Sequence, residues 1–347
     1  FYYDSSPQWV QDWNAKDLTA DYAGTAWRLL NDQSTYLFGN ADDRPYETNL
    51  AGYGRVFPHA FGDRDSRYFT TLLTVSPAGD EIPLDFAKTL VENEQLGQDN
   101  DTDFLAVSFS STDYVGHIFG PSSLESEDNI LRLDRTLAQL FQFIDEKVGL
   151  ERTLIVLSAD HGGPEAPGYL RELGFEASYI KPQEVERVAA INALQARFQA
   201  GEKLIRGYFH PYLFLNHELI ESNGLDLAEV QAVVAEALTR FDGISAAIPS
   251  TALTEGALPV TPIVDAVLRN YHPGRSGDIY VVFDPHVFPN DFDGLTVAST
   301  HGSPWQYDTY VPIIFAGMDI QPQRVARRVN TTAIAPTLSL RVGAKPP

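Results

Sequence analysis

The sequence predicts an α/β protein in which a mostly parallel core sheet is interrupted by a smaller inserted α/β unit. Three observations carry that expectation. An apolar strand, a long amphipathic helix and a second apolar strand follow one another between Phe104 and Leu157. Helical and strand-like patterns then alternate through residues 176–286. An apolar strand returns at Val311–Phe315, ahead of a last helix at Thr331–Arg341.

In chain order, residues 1–66 are rich in Asp, Asn, Tyr and Trp, with short helical stretches such as Thr19–Asn31. Phe69–Val75 reads as a strand, and Pro83–Glu92 as a short helix beyond the turn at Pro77–Gly79. Phe104–Phe109 is a β-rich run flanked by polar residues, of the kind buried on both faces. After a loop over Ser110–Ser126, the apolar residues Ile130, Leu133, Leu137, Leu140, Phe141, Ile144 and Val148 recur at spacings of three and four. That is one helical stripe, closed by Gly149. Thr153–Leu157 is the next strand, so this unit reads as βαβ and implies parallel pairing.

The middle region alternates in the same way. Helices are expected at Pro182–Phe198, Asp226–Phe241 and Pro262–Tyr271, with strands at Tyr212–Asn216, Gly243–Ile248 and Asp278–Phe283. The expected organisation is a core α/β domain over 1–175, an inserted α/β cap over 176–286, and the core's return over 287–347.

Composition excludes several function classes. Of 347 residues, 47 are Asp or Glu against 25 Lys or Arg, a net charge of −22, with no cysteine. A disulfide scaffold, a Cys-based zinc ribbon, an iron–sulfur cluster and a thiol nucleophile are all ruled out. So negative a chain, without a Lys/Arg cluster, argues against nucleic acid as a partner. No apolar run is long enough to suggest a membrane span. The hydrophobic content of 44% suffices for a packed core. The chain opens Phe1-Tyr2-Tyr3 with neither an initiator Met nor a signal-peptide pattern, so its start is expected to be processed or truncated.

Three short segments concentrate the chemistry. They are Ser110–Pro121, with Asp113 and His117; Ser158–Pro164, with Asp160 and His161; and Ser299–Pro304, with His301. The first two follow expected strands at their carboxyl ends, where open α/β sheets place ligands. Gly162-Gly163-Pro164 lets the backbone turn so that Asp160 and His161 can converge. Asp113 and His117 can meet one ion if Gly116 allows a tight turn. Imidazole plus carboxylate without sulfur suits catalytic zinc. Five such groups exceed the needs of one open tetrahedral ion, so two ions are the natural count.

Each segment alone also has a plain reading. Asp-His-Gly can be a capped turn, Asp113 an N-cap, and His301 a loop histidine. His59, His210, His217, His272 and His286 lack a neighbouring Asp at ligand spacing, Asp284 beside His286 excepted, and are read as structural or surface groups. Trp305 and Tyr307 are read as packing residues.

Taken together, the segments resemble the alkaline phosphatase superfamily. Ser-Thr-Asp-Tyr-Val-Gly-His-Ile-Phe-Gly-Pro, from Ser111 to Pro121, is similar to the type I phosphodiesterase/nucleotide pyrophosphatase branch and the PafA-type alkaline phosphatases. His301-Gly-Ser-Pro-Trp-Gln-Tyr-Asp, running on to Gly317, and Thr332–Leu338 resemble the PafA-type enzymes in particular.

The resemblance implies an alkaline-phosphatase-like α/β/α sandwich. It implies one zinc on Asp113, His117 and His301, and a second zinc on Asp160 and His161. In the family the second zinc also takes an Asp and a Thr or Ser nucleophile from an earlier segment. An Asn and a Lys/Arg pair that grip phosphate in PafA-type enzymes come from there too. None of these motifs is found in residues 1–100, and Thr25 lacks their context. The chain therefore resembles the C-terminal portion of such an enzyme, with the nucleophile expected on a segment that is a separate chain, a proteolytic fragment or further polypeptide. The implied activity is phosphate monoester hydrolysis by in-line displacement through a phospho-enzyme. Phosphodiester or nucleotide pyrophosphate hydrolysis and an inactive metal-binding fragment are the alternatives. The implied location is periplasmic or secreted.

Overall fold

The structure, a computed structural model, describes residues 5–185, 197–198, 204–290 and 295–344. Its helices are α1 (Gln8–Lys16), α2 (Phe69–Thr74), α3 (Ala78–Asn93), α4 (Ser111–Phe119), α5 (Leu124–Lys147), α6 (Pro167–Glu172), α7 (His217–Ser222), α8 (Leu227–Leu238), α9 (Ser250–Glu255), α10 (Pro262–Asn270), α11 (Gln306–Thr309) and α12 (Ile334–Arg341). Its strands are β1 (Ala26–Trp27), β2 (His59–Ala60), β3 (Leu154–Ser158), β4 (Ser178–Ile180), β5 (Ile205–Phe209), β6 (Tyr212–Leu215), β7 (Ile244–Pro249), β8 (Ile279–Phe283), β9 (Val287–Pro289) and β10 (Ile313–Gly317).

The best-formed layer is a four-stranded antiparallel sheet, in the order β5-β6-β8-β7. Along β8 the side chains alternate between two cores, as the two-residue strand period requires. Ile279, Val281 and Phe283 pack with Val230, Val234 and Leu238 of α8. Tyr280 and Val282 face the other way, onto Val267 of α10 and Leu253 of α9. The sheet is thus covered on both faces.

A second core gathers Trp27, Tyr53, Phe61, Phe69, Leu72 and Leu73 against Val115, Ile118 and Phe119 of α4. It fixes one side of α4 and leaves the other side for chemistry.

Several expectations need correction. Where a strand is expected over Phe69–Val75 the chain is helical from Phe69 to Thr74, because Phe69, Leu72 and Leu73 lie at helical spacing on one buried face. Within Thr19–Asn31 there is only a short 3-10 turn, Leu18–Tyr22, before β1, since Gly24 takes a positive φ of 70° that breaks the chain direction. The helix expected at Pro83–Glu92 runs instead from Ala78 to Asn93.

Phe104–Phe109 forms no ladder, and Phe104 is 74% exposed. β3 pairs with β10 antiparallel, from Leu154↔Gly317 to Ser158↔Ile313. The parallel βαβ pairing expected there is therefore absent among the described residues, where parallel pairing occurs between β4 and β9. β3 is only half-buried along its whole length, since one neighbouring strand cannot cover it. The stripe on α5 is likewise open in part, with Ile130 exposed and Leu140 buried. The helix expected over Pro182–Phe198 is helical at 182–185 and 197–198, and the remainder lies outside the described residues.

Candidate metal centre

The first ligand pair comes from α4. The segment expected as a loop is a helix whose first amide, on Ser111, donates to the buried carboxylate of Asp80 at 3.1 Å. A carboxylate at that end complements the helix dipole. Asp113 and His117 are then one turn apart on the same face, so helical spacing rather than a turn at Gly116 brings them together.

His301 approaches from the other side. The Ala298 amide donates to the His117 carbonyl at 2.8 Å, and His117 Nδ1 bonds the Ser299 carbonyl at 2.7 Å. That bond fixes the imidazole and leaves Nε2 pointing at Asp113, the outer-shell arrangement typical of metal-bound histidines. Gly302, with φ of 110°, lets the chain turn directly after His301.

Asp113 Oδ1 lies 3.4 Å from His117 Nε2 and 3.4 Å from His301 Nε2. The ligand atoms of the three residues all fall within 4.8 Å of one another. Zinc bonds of ~2.0–2.1 Å at a tetrahedral angle put neighbouring donors ~3.3–3.4 Å apart. The two separations from Asp113 match that edge, and the N,N,O donor set suits a catalytic zinc with an open position. The residues present fit the ion.

The electrostatics agree. Burial by itself raises the Asp113 carboxyl, but the bond to His117 and the nearby His117, His301 and His161 charges outweigh it and hold the group below its ordinary value. Burial works against the charged form of His117, yet its Asp113 partner raises it overall. His301 is lowered by burial and by His161. Asp113 is thus held as a carboxylate at neutral pH, the form that ligates.

The second segment meets the first. His161 Nε2 is 3.9 Å from Asp113 Oδ1 and 3.6 Å from Asp160 Oδ2. Its Nδ1 bonds the Gly162 carbonyl at 2.9 Å, and its ring stacks on His301 with centroids 3.5 Å apart. The structure thus gathers Asp113, His117, His161 and His301 at one place, with Asp160 bonded to the His161 amide and its side chain 90% exposed at the rim.

A model described as the type I phosphodiesterase / nucleotide pyrophosphatase family matches residues 3–304. The chain belongs to that family. Among its relatives, the calcium-transporting ATPase of Myroides odoratus is 32% identical over 342 residues, covering 98% of this chain and 62% of the relative. Alkaline phosphatase PhoV of Synechococcus elongatus is 32% identical over 340 residues, covering 97% of this chain and 60% of the relative. The crystal structure of wild-type alkaline phosphatase PafA matches with a TM-score of 0.89 at 29% identity, over 99% of this chain and 65% of that one. This member of the type I phosphodiesterase/nucleotide pyrophosphatase family therefore has the alkaline-phosphatase-like α/β fold, and it spans 60–62% of the length of those two relatives. Among the described residues no helix is long and apolar enough to cross a membrane.

Some supporting residues were not foreseen. Asp80 and Asp308 are buried carboxylates serving backbone amides next to ligand segments, and each is far in sequence from the amide or ligand it supports, or lies inside a motif whose ligand drew the attention. His59, expected to be a structural or surface group, is fully buried with Nε2 3.0 Å from Glu125 Oε1. His217 likewise meets Asp278 at 2.8 Å. Partners 66 and 61 residues away leave no local signal.

Proposed function

We propose that this chain carries the zinc-binding part of a phosphoric ester hydrolase, with phosphate monoesters as the substrate class. The observation that carries the reading is the Asp113, His117 and His301 trio, in which both separations from Asp113 Oδ1 equal the edge of a tetrahedral zinc site and all three ligand atoms lie within 4.8 Å of one another. Asp160 and His161 supply part of a second zinc site beside it. Zinc at such a centre polarises phosphoryl oxygens and lowers the pKa of a bound oxygen nucleophile.

The chain's own residues do the rest. Asp113 supplies the shared negative oxygen, and Ser299 holds the His117 ring with its donor nitrogen inward. Gly162 and Gly302 let the two ligand loops turn within reach of each other.

The nucleophile and the phosphate-gripping groups are assigned to polypeptide outside these 347 residues, either a separate chain or further length of the same protein. The half-buried β3 and the exposed Phe104 and Ile314 support this, since an apolar strand needs cover. Residues 176–286 are proposed as an inserted cap between core segments 1–175 and 287–347. The parallel β4–β9 pair supports that division, because the entering and leaving chains run side by side there. Export to the periplasm or beyond the cell is part of the same reading, supported by the family resemblance and the acidity of the chain.

The alkaline phosphatase names of two matched proteins support monoesters, while the family description keeps diesters as the second reading. Competition with a chromophoric chelator tests the centre. The purified chain is expected to bind zinc and Asp113→Ala to bind it at least about 100-fold more weakly. Failure of the unaltered chain to bind zinc overturns the reading. In protein carrying the whole site, faster turnover of p-nitrophenyl phosphate than of its bis ester is expected, and the reverse selects the diesterase.

A further inference from the structure

Each ligand loop leaves the metal centre through a glycine, and both loops are fastened to one residue. Asp308 sits on the short helix α11 and is 4% exposed. Its Oδ2 accepts from the Gly302 amide at 3.1 Å, the Ser303 amide at 2.7 Å and the Ser303 hydroxyl at 2.5 Å. Those donors belong to the two residues that follow His301. The backbone carbonyl of Asp308 accepts from the Gly162 amide at 2.7 Å, the residue that follows His161.

The fit at Gly162 is close. A Cβ there would collide with the Tyr307 carbonyl oxygen and crowd that of Tyr310, both backbone atoms of the same segment. The segment is itself anchored, since Trp305 Nε1 donates to the Phe283 carbonyl of β8 at 2.9 Å. A buried carboxylate with three donors is a strong, directional hold. Two loops fixed to one rigid point cannot shift independently.

We propose that Asp308 is a positioning residue for the metal centre, setting the distance between His301 and the Asp160/His161 loop. The inference rests on the zinc reading of the site. It assigns Asp308 no contact with metal or substrate. The residue acts through the loops, as outer-shell partners of metal ligands do.

The test compares the full 347-residue chain with Asp308→Ala and Asp308→Asn, using zinc affinity by chelator competition and the visible absorption of the cobalt-substituted proteins. Loss of buried hydrogen bonds lowers the thermal midpoint under either a structural or a positioning role, so the midpoint serves only to show that the variants are folded. Asp308→Ala is expected to bind zinc about 10–100-fold more weakly and to give an altered cobalt spectrum. Asp308→Asn retains one acceptor oxygen in place of Oδ2, and is expected to recover part of the affinity and most of the spectrum. If Asp308→Ala does not fold, Asp308→Asn decides alone, with reduced affinity as the supporting result. A folded variant with unaltered affinity and spectrum overturns the proposal. If the unaltered chain binds no zinc, the metal reading fails first, which is a separate result.

Discussion

Two strands of similar sequence meet opposite fates in this molecule. Leu154–Ser158 and Ile279–Phe283 are both short, apolar and β-branched. β8 is buried at every residue, while β3 is half-buried at every residue. β8 has a strand on each side and helices on both faces. Among the described residues β3 has one ladder partner. The difference continues in the polar residues. Among the described residues between 204 and 283, the buried polar side chains are Gln231 and Asp278. In the rest of the described chain, which carries the candidate metal ligands, they include Glu47, His59, Asp80, Glu125, Asp128, Ser299 and Asp308. The four-stranded layer is held by apolar burial, and the region with the candidate metal ligands is laced together by hydrogen bonds.

The comparison breaks most visibly under core truncation. Leu213→Ala, at a fully buried position of β6, is expected to cost about 3 kcal/mol, whereas Ile155→Ala in β3 is expected to cost about 1 kcal/mol. Urea unfolding of both variants measures this. Equal losses would show that the β3 side is as well packed as the layer beside it.

A smaller and more local contrast lies within one loop. Gly162→Ala forces a Cβ against backbone carbonyls, while the neighbouring Gly163 has nothing within 4 Å of an added Cβ. Gly162→Ala is expected to cost about 1–3 kcal/mol and to weaken zinc binding, and Gly163→Ala to do neither. Thermal melts with chelator titration read both, and a silent Gly162→Ala would remove the clamp on which the loop argument stands.

The smallest effect is a pH dependence in the hydrogen-bonded region. Burial pushes Glu47 up to about 8, from an ordinary value of 4.5. The folded state therefore keeps a proton that the unfolded chain releases. This contribution is complete below pH 4.5, declines as the pH rises, and is gone once the pH passes about 8. Glu47→Gln imitates the protonated form, so its thermal midpoint is expected to fall less between pH 5 and pH 8 than that of the unaltered chain. Parallel slopes would show that Glu47 is ionised in the folded protein. Glu125, also pushed up to about 8 by burial, sets the same trend from the next layer.

Much of the candidate centre was legible in the sequence. Asp113, His117, Asp160, His161 and His301 stand out because they sit in three short Gly-containing segments, two of which directly follow an apolar run. What was not legible is how the groups are brought together. The helical state of 111–119 was hidden by Gly116 and the surrounding Ser and Thr residues, so a tight turn was expected where one helical turn does the work. α5 begins at Leu124, inside the expected loop over Ser110–Ser126, because its first two turns bury Glu125, Ser126, Asp128 and Asn129, which mimic a solvated loop.

The sequence by itself determined the α/β class, the candidate metal-ligating residues, and the apolar runs of β6, β7 and β8. Those are local properties, written in side-chain type and period. The tertiary structure alone decided that β3 would pair antiparallel with a strand some 160 residues later, by the register Leu154↔Gly317. It also decided that His59 would lie in the core against Glu125, kept neutral by its burial, and that Asp308 would hold two ligand loops at once. Strand pairing, the burial of a charge and the convergence of loops depend on which surfaces meet in space, and no window of neighbouring residues contains that information.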